Sequence, residues 1–122
     1  MTAKLGLVLD CAEPERLAEF WSAAIGYTTL GGAGSYVLLV DEAGQQPKLL
    51  LQRVSEPKVG KNRMHLDIET PDIGAEAARL VELGATRVSE STMSEHGTTW
   101  IRMSDPEANE FCVCDAGQPG HG

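Results

Sequence analysis

The chain has 122 residues, a formal net charge of −8 and a pI near 4.7, a balance unlike that of proteins built to hold nucleic acid or anionic membranes. Its length suits one domain with a modest core, and with only 5% aromatic residues that core must be filled mainly by aliphatic side chains. Three cysteines, an odd number, fit no internal disulfide framework and point to a reducing, cytoplasmic setting. No long apolar run follows Met1, so neither a signal peptide nor a membrane span is expected.

Lys4 to Asp10 alternates like a strand, with Leu5, Leu7 and Leu9 on one face and Gly6, Val8 and Asp10 on the other. Pro14 suits a first helical position, and Leu17, Phe20, Trp21, Ala24 and Ile25 form an apolar stripe at helical spacing up to a stop at Gly26. Short strands are expected near 27–30, 35–40 and 48–54, joined by turn-rich segments. In the last of these, Leu49, Leu50 and Leu51 run together and leave the parity open.

After a polar connection, residues 55–62, the pattern starts again. Arg63 to Glu69 predicts a strand with Met64, Leu66 and Ile68 on its packing face. Thr70 is the expected helix N-cap and Pro71 the first helical residue, followed by the stripe Ile73, Ala77, Leu80 and a stop at Gly84. Three more strands are expected near 85–89, 98–103 and 109–114. The chain thus reads as two tandem βαβββ modules of α+β class, about 4–54 and 63–114, in a single domain spanning 1–116. Residues 117–122 read as a flexible tail.

Between the last two strands, Asp105-Pro106 followed by Asn109 is turn chemistry: Asp caps the bend, Pro fixes φ and Asn tolerates left-handed backbone. Parity then places Phe111 and Val113 on the packing face and Glu110, Cys112 and Cys114 opposite, on the side shared with His65, Asp67 and Glu69.

Four segments, Leu7 to Trp21, Ala24 to Tyr27, His65 to Ile68 and Asp105 to Phe111, together resemble the vicinal oxygen chelate superfamily. That is the glyoxalase, bleomycin-resistance and dioxygenase group, and the likeness is to its small glyoxalase-like domain branch. The resemblance runs from about Leu5 to Cys114. It implies two modules forming a cupped mixed sheet with a small-molecule pocket in its hollow, a homodimer, and in many members a divalent metal.

Carried over residue by residue, the four metal positions of that family fall on Gly6, Gln52, His65 and Cys112. Gly6 offers no ligand and an amide oxygen anchors zinc poorly. His65 and Cys112 could hold a soft metal as a pair, but two ligands rarely fix one. The expectation is therefore no metal and no other cofactor, which argues against glyoxalase I activity, since that reaction asks a metal to polarise the substrate.

The remaining candidates have bland alternatives beside them. His65 suits a general acid or base, or a strand histidine paired with Asp67 or Glu110. Cys112 suits a ligand contact or a nucleophile, or a small buried hydrophobe. Trp100 and Arg102 share a face and could stack on and clamp a planar or anionic ligand, or simply pack. His96 sits on a loop that could cover the expected pocket, or is simply exposed. Three functions stay open: a metal-independent lyase- or isomerase-type enzyme using His65, with Gln52, Trp100, Arg102 and Cys112 at the ligand; a resistance-type protein that sequesters a drug or metabolite; or a dimeric interaction domain with no small ligand. The acidic net charge favours a cationic guest for the second.

Overall fold

The computed structural model describes residues 4–95 and 97–115; His96 and the tail after Asp115 lie outside the described residues. The chain divides into two compact units, Met1–Val59 and Gly60–Gly122. Each is an α+β unit holding one helix and one mixed sheet.

The first unit runs β1 (Gly6–Cys11), α1 (Pro14–Ile25), β2 (Thr28–Ala33), β3 (Tyr36–Val40) and β4 (Lys48–Arg53). Its sheet order is β1-β4-β3-β2, with β1 and β4 parallel and the other neighbours antiparallel. A parallel pair needs a long crossover, and the helix and hairpins between β1 and β4 supply it. Helix α1 packs on β3 and β4. Its stripe of Leu17, Phe20, Trp21 and Ala24 is buried, as are Val37, Leu39, Leu49 and Leu51 of those strands. Cross-strand register pairs Leu39 with Leu49 and Val37 with Leu51, so Leu50 falls on the opposite face with Val8 and Leu38. That resolves the parity of the leucine run. Leu5, expected on the packing face, precedes the strand and is 75% exposed.

The second unit runs β5 (Leu66–Thr70), α2 (Ile73–Leu83), β6 (Thr86–Arg87), β7 (Met93–Glu95), β8 (Thr98–Ser104) and β9 (Glu110–Asp115). The order β5-β9-β8-β6 repeats the first unit's pattern, with β5 and β9 parallel; β7 adds a short pairing to β8 that the sequence pattern did not announce. Helix α2 packs on β8 and β9, whose Ile101, Met103, Phe111 and Val113 are at most 1% exposed. Burying side chains of this size contributes about 1.5–3 kcal/mol each.

Helix α2 starts later than Thr70 and Pro71 suggested. Asp72 is the N-cap and accepts the Ala75 amide at 3.0 Å. Thr70 stays in β5, because the residue before a proline is steered to extended backbone; its hydroxyl instead accepts the Asp72 amide at 3.4 Å. Met64, predicted to pack, lies ahead of β5 and is 69% exposed.

The Asp105 turn is tighter than turn preferences alone suggest. Asp105, 3% exposed, accepts the backbone amides of Glu107 and Asn109 and both its oxygens meet the Asn109 side-chain amide. The left-handed residue is Ala108 (φ 67°), not Asn109, whose side chain is spent on Asp105. This turn sets where β9 begins, and therefore which face Cys112 occupies. Among the described residues, no helix is long and apolar enough to cross a membrane.

Candidate functional site

Away from α2, the second sheet presents a connected polar surface. Parallel register sets Asp67 beside Cys112, and antiparallel register sets Cys112 beside Arg102. His65, just ahead of β5 and two residues from Asp67, shares that face; its Nε2 lies 3.3 Å from Asp67 Oδ1. Three strands therefore bring histidine, carboxylate, thiol and guanidinium into one row.

Beside this row is a pocket of about 260 Å³ lined by residues of the second unit only: Lys61, Asn62, Arg63, His65, Arg102, Glu110, Phe111 and Cys112. Its rim is tied down by Glu110, which accepts the Asn62 amide at 3.1 Å and pairs with Lys61 at 3.4 Å, while the Glu110 amide donates to the Asn62 side chain at 3.3 Å. Three cationic side chains line the pocket against the one carboxylate of Glu110, and Asp67 adds a second carboxylate just behind the lining. In a chain of net charge −8 this is a local reversal of sign.

Of the sequence candidates, His65, Arg102 and Cys112 meet at this pocket. Trp100 does not line it: the ring is 3% exposed and packs with Cys112 and Cys114, with Met93 against them. Gln52 is exposed on β4 of the first unit. Lys61 and Asn62 were missed because they sit in a connection whose composition signals only a linker, and Arg63, read onto the polar face of the next strand, lies ahead of β5 and also lines the pocket. Asp67 was read onto the right face, but its contact with Cys112 depends on β5 and β9 being neighbours, which spacing cannot show.

Cys112 is not poised as a nucleophile. Burial pushes its thiol above the ordinary value, Asp67 adds to that, and Arg102 and Lys61 oppose it only in part. Cys114 is pushed up to about 12, by burial first and then by Asp67 and Glu69. Both are thiols at neutral pH, and a thiol is a poor nucleophile.

In the first unit a larger hollow of about 690 Å³ adjoins Lys4, Gly6, Gln45 and Lys48. Its carboxylate, Asp41, is occupied in holding the loop after β3, accepting the amides of Ala43, Gln45 and Gln46. A Cβ at Gly6 would stand 3.0 Å from Lys48 Cε and 3.5 Å from its Cγ, so the lysine stem fills the space a side chain at that position would need. The hollow is larger but chemically poorer than the pocket in the second unit.

This topology, with a parallel first-to-last strand pair and one crossing helix in each unit, is that of the glyoxalase/bleomycin-resistance fold. A structure from Burkholderia phytofirmans PsJN, a glyoxalase/bleomycin resistance protein/dioxygenase family enzyme, superposes with a TM-score of 0.79 at 13% identity over 93% of this chain and 98% of that one. A superfamily member from Sphaerobacter thermophilus gives 0.71 at 19% identity over 94% and 98%. The fosfomycin resistance protein FosX of Mesorhizobium loti gives 0.72 at 10% over 95% and 93%.

The family profile described as "Glyoxalase-like domain" matches residues 6–114, and the chain belongs to that family, within the vicinal oxygen chelate superfamily. Among curated proteins none matches the sequence significantly.

The metal common in that superfamily does not fit the four inherited positions here. Gly6 has no donor and a lysine stem lies across it, Gln52 offers only an amide, and Cys112 replaces a carboxylate with a thiol. A hard, oxygen-seeking ion finds no adequate donor set among them.

Proposed function

We propose that the chain binds a small organic anion in the pocket over β5, β8 and β9. The observation that supports this is the lining: Lys61, Arg63 and Arg102 converge with His65 on one small hollow in an otherwise acidic chain. Arg102 offers the planar donor fork that suits carboxylate and phosphate groups. The volume of about 260 Å³ lies below the roughly 300 Å³ at which pockets for drug-sized ligands begin, so the guest is small. The net charge would favour a cationic guest, but a ligand responds to the charges within a Debye length of it, about 8–10 Å at ordinary salt.

A fosfomycin resistance protein and a family enzyme share this fold, so the fold by itself does not choose between binding and catalysis. The His65–Asp67 contact favours a second reading, in which His65 acts as a metal-free acid or base on the bound anion and Asp67 orients its ring.

Calorimetry of untagged protein with inorganic phosphate, oxalate and malonate tests the binding claim. Binding that weakens with salt, and that drops about tenfold or more in Arg102→Ala, is expected from the loss of a charged hydrogen bond. No heat with any of these anions, or equal affinity in Arg102→Ala, would overturn it. For the second reading, His65→Ala retaining full turnover of an identified substrate would count against catalysis by that residue.

A further inference from the structure

The His65–Asp67–Cys112 cluster can do more than border an anion pocket. One ligand atom from each residue, an imidazole nitrogen, a carboxylate oxygen and the Cys112 sulfur, lies within 4.8 Å of the other two. We infer that these three side chains form a binding site for a soft or borderline divalent cation, with Zn²⁺ the ion whose chemistry they match. The set keeps His65 and Cys112 of the four inherited positions and drops Gly6 and Gln52. It lies wholly in the second unit, takes in Asp67, which is not one of the four, and replaces a hard oxygen donor with sulfur.

Donor chemistry, backbone placement and spacing each support the assignment. Imidazole, carboxylate and thiolate are all zinc ligands, whereas a thiolate is a poor partner for magnesium or calcium. His65 and Asp67 are two residues apart on one face, and Asp67 is paired across the parallel ladder with Cys112, so the backbone places all three. Donors around a tetrahedral zinc, at about 2.0–2.3 Å from the ion, stand about 3.5 Å from one another. His65 Nε2 and Asp67 Oδ1 are already 3.3 Å apart, and closing the rest asks for side-chain movement of about 1 Å.

Three protein ligands leave a fourth position for water or for an anion. His65 and Cys112 both line the anion pocket, where such a ligand would enter. On binding, Cys112 gives up its thiol proton and its sulfur becomes the ligand. The site does not rest on the anion reading, since it is defined by the ion alone. It does exclude the metal-free acid–base use of His65, because Nε2 cannot both hold the ion and take a proton.

The test uses metal alone. Untagged, reduced protein is titrated with Co²⁺ without added anion, followed by absorption, and Co²⁺ is then displaced by Zn²⁺. The site predicts one equivalent of Co²⁺ with a thiolate-to-cobalt charge-transfer band in the near ultraviolet, bleached by Zn²⁺. Cys112→Ser should lose the band, Cys114→Ser should keep it, and His65→Ala and Asp67→Asn should each weaken binding at least about tenfold, by comparison with the 10–100-fold cost of losing an outer-sphere partner. Circular dichroism checks that each variant is folded; if Cys112→Ser is not, His65→Ala, whose side chain is 30% exposed, carries the test. Absence of the band in the wild type would overturn the site, as would a band that survives Cys112→Ser or undiminished affinity in folded His65→Ala. Loss of anion binding with the cobalt band intact would sink only the anion reading.

Discussion

The two units repeat one order of elements but put different side chains on the sheet face away from the helix. In the first, that face carries Gly6, Val8 and Asp10 beside Lys48, Leu50 and Gln52, with Tyr36 and Leu38 next to them. It mixes aliphatic Val8, Leu50 and Leu38 with dispersed polar groups and holds neither histidine nor cysteine. In the second, Asp67 and Glu69 stand beside Cys112 and Cys114, which stand beside Arg102 and Trp100. The scaffold is duplicated and the chemistry is not. In this chain the face under each helix is apolar in both units, while the donors gather on the opposite face of the second unit alone.

The sharpest way to break that comparison is to show that the two faces of a sheet matter equally for stability. Leu51 is fully buried under α1, and Leu51→Ala should cost about 2–5 kcal/mol by chemical denaturation. Its neighbour Leu50, half-buried on the other face, should cost only about 1 kcal/mol on the same change. Equal costs would contradict the division of labour between faces.

A smaller contrast separates the helices. Asp72 caps α2 with a real hydrogen bond, so Asp72→Ala should cost about 1 kcal/mol. Glu13 at the start of α1 makes no side-chain cap, and Pro14 fills the first helical position. Glu13→Ala should therefore change stability by less than about 0.5 kcal/mol.

The smallest effect is electrostatic. The hydrogen bond from Arg79 holds the Glu76 carboxyl below its usual value. A lowered folded value means the stabilisation is fully present above the ordinary glutamate range, near pH 4.3, and is lost as pH falls through the folded value. Because the Arg79 side chain is 44% exposed, solvent screening limits the pair to about 0.3–0.5 kcal/mol. Glu76→Gln should be less stable than the wild type by that much at pH 7, and the difference should shrink as pH falls through the lowered carboxyl value in a stability–pH series.

Much of the fold was legible because its signals are local. Gly26 and Gly84 both end helices as C-caps, and the stripes Leu17–Phe20–Trp21 and Ala77–Leu80 are buried as their spacing predicted. Local signals failed where a neighbour in sequence overrode a preference. Pro71 kept Thr70 in the strand, and Asp105 claimed the Asn109 side chain and left the left-handed position to Ala108.

The candidate site was half legible. Alternation alone put His65, Asp67 and Cys112 on one face, but which strands lie side by side is a long-range fact. The Asp67–Cys112 contact joins residues separated by a helix and three strands, and the Lys61–Glu110 pair likewise turns an apparent linker into a pocket rim. Trp100 shows the opposite limit: strand parity gives a side chain its face, not its exposure.

The place where a small anion binds separates the two units most directly. Titrating isotopically labelled protein with oxalate and following backbone amide shifts by NMR locates the contact without presuming catalysis or metal. The largest shifts should fall on residues 61–65 and on Arg102 and Cys112. Shifts concentrated instead around Gly6, Lys48 and Gln52 of the first unit, or no shifts at all, would contradict this placement.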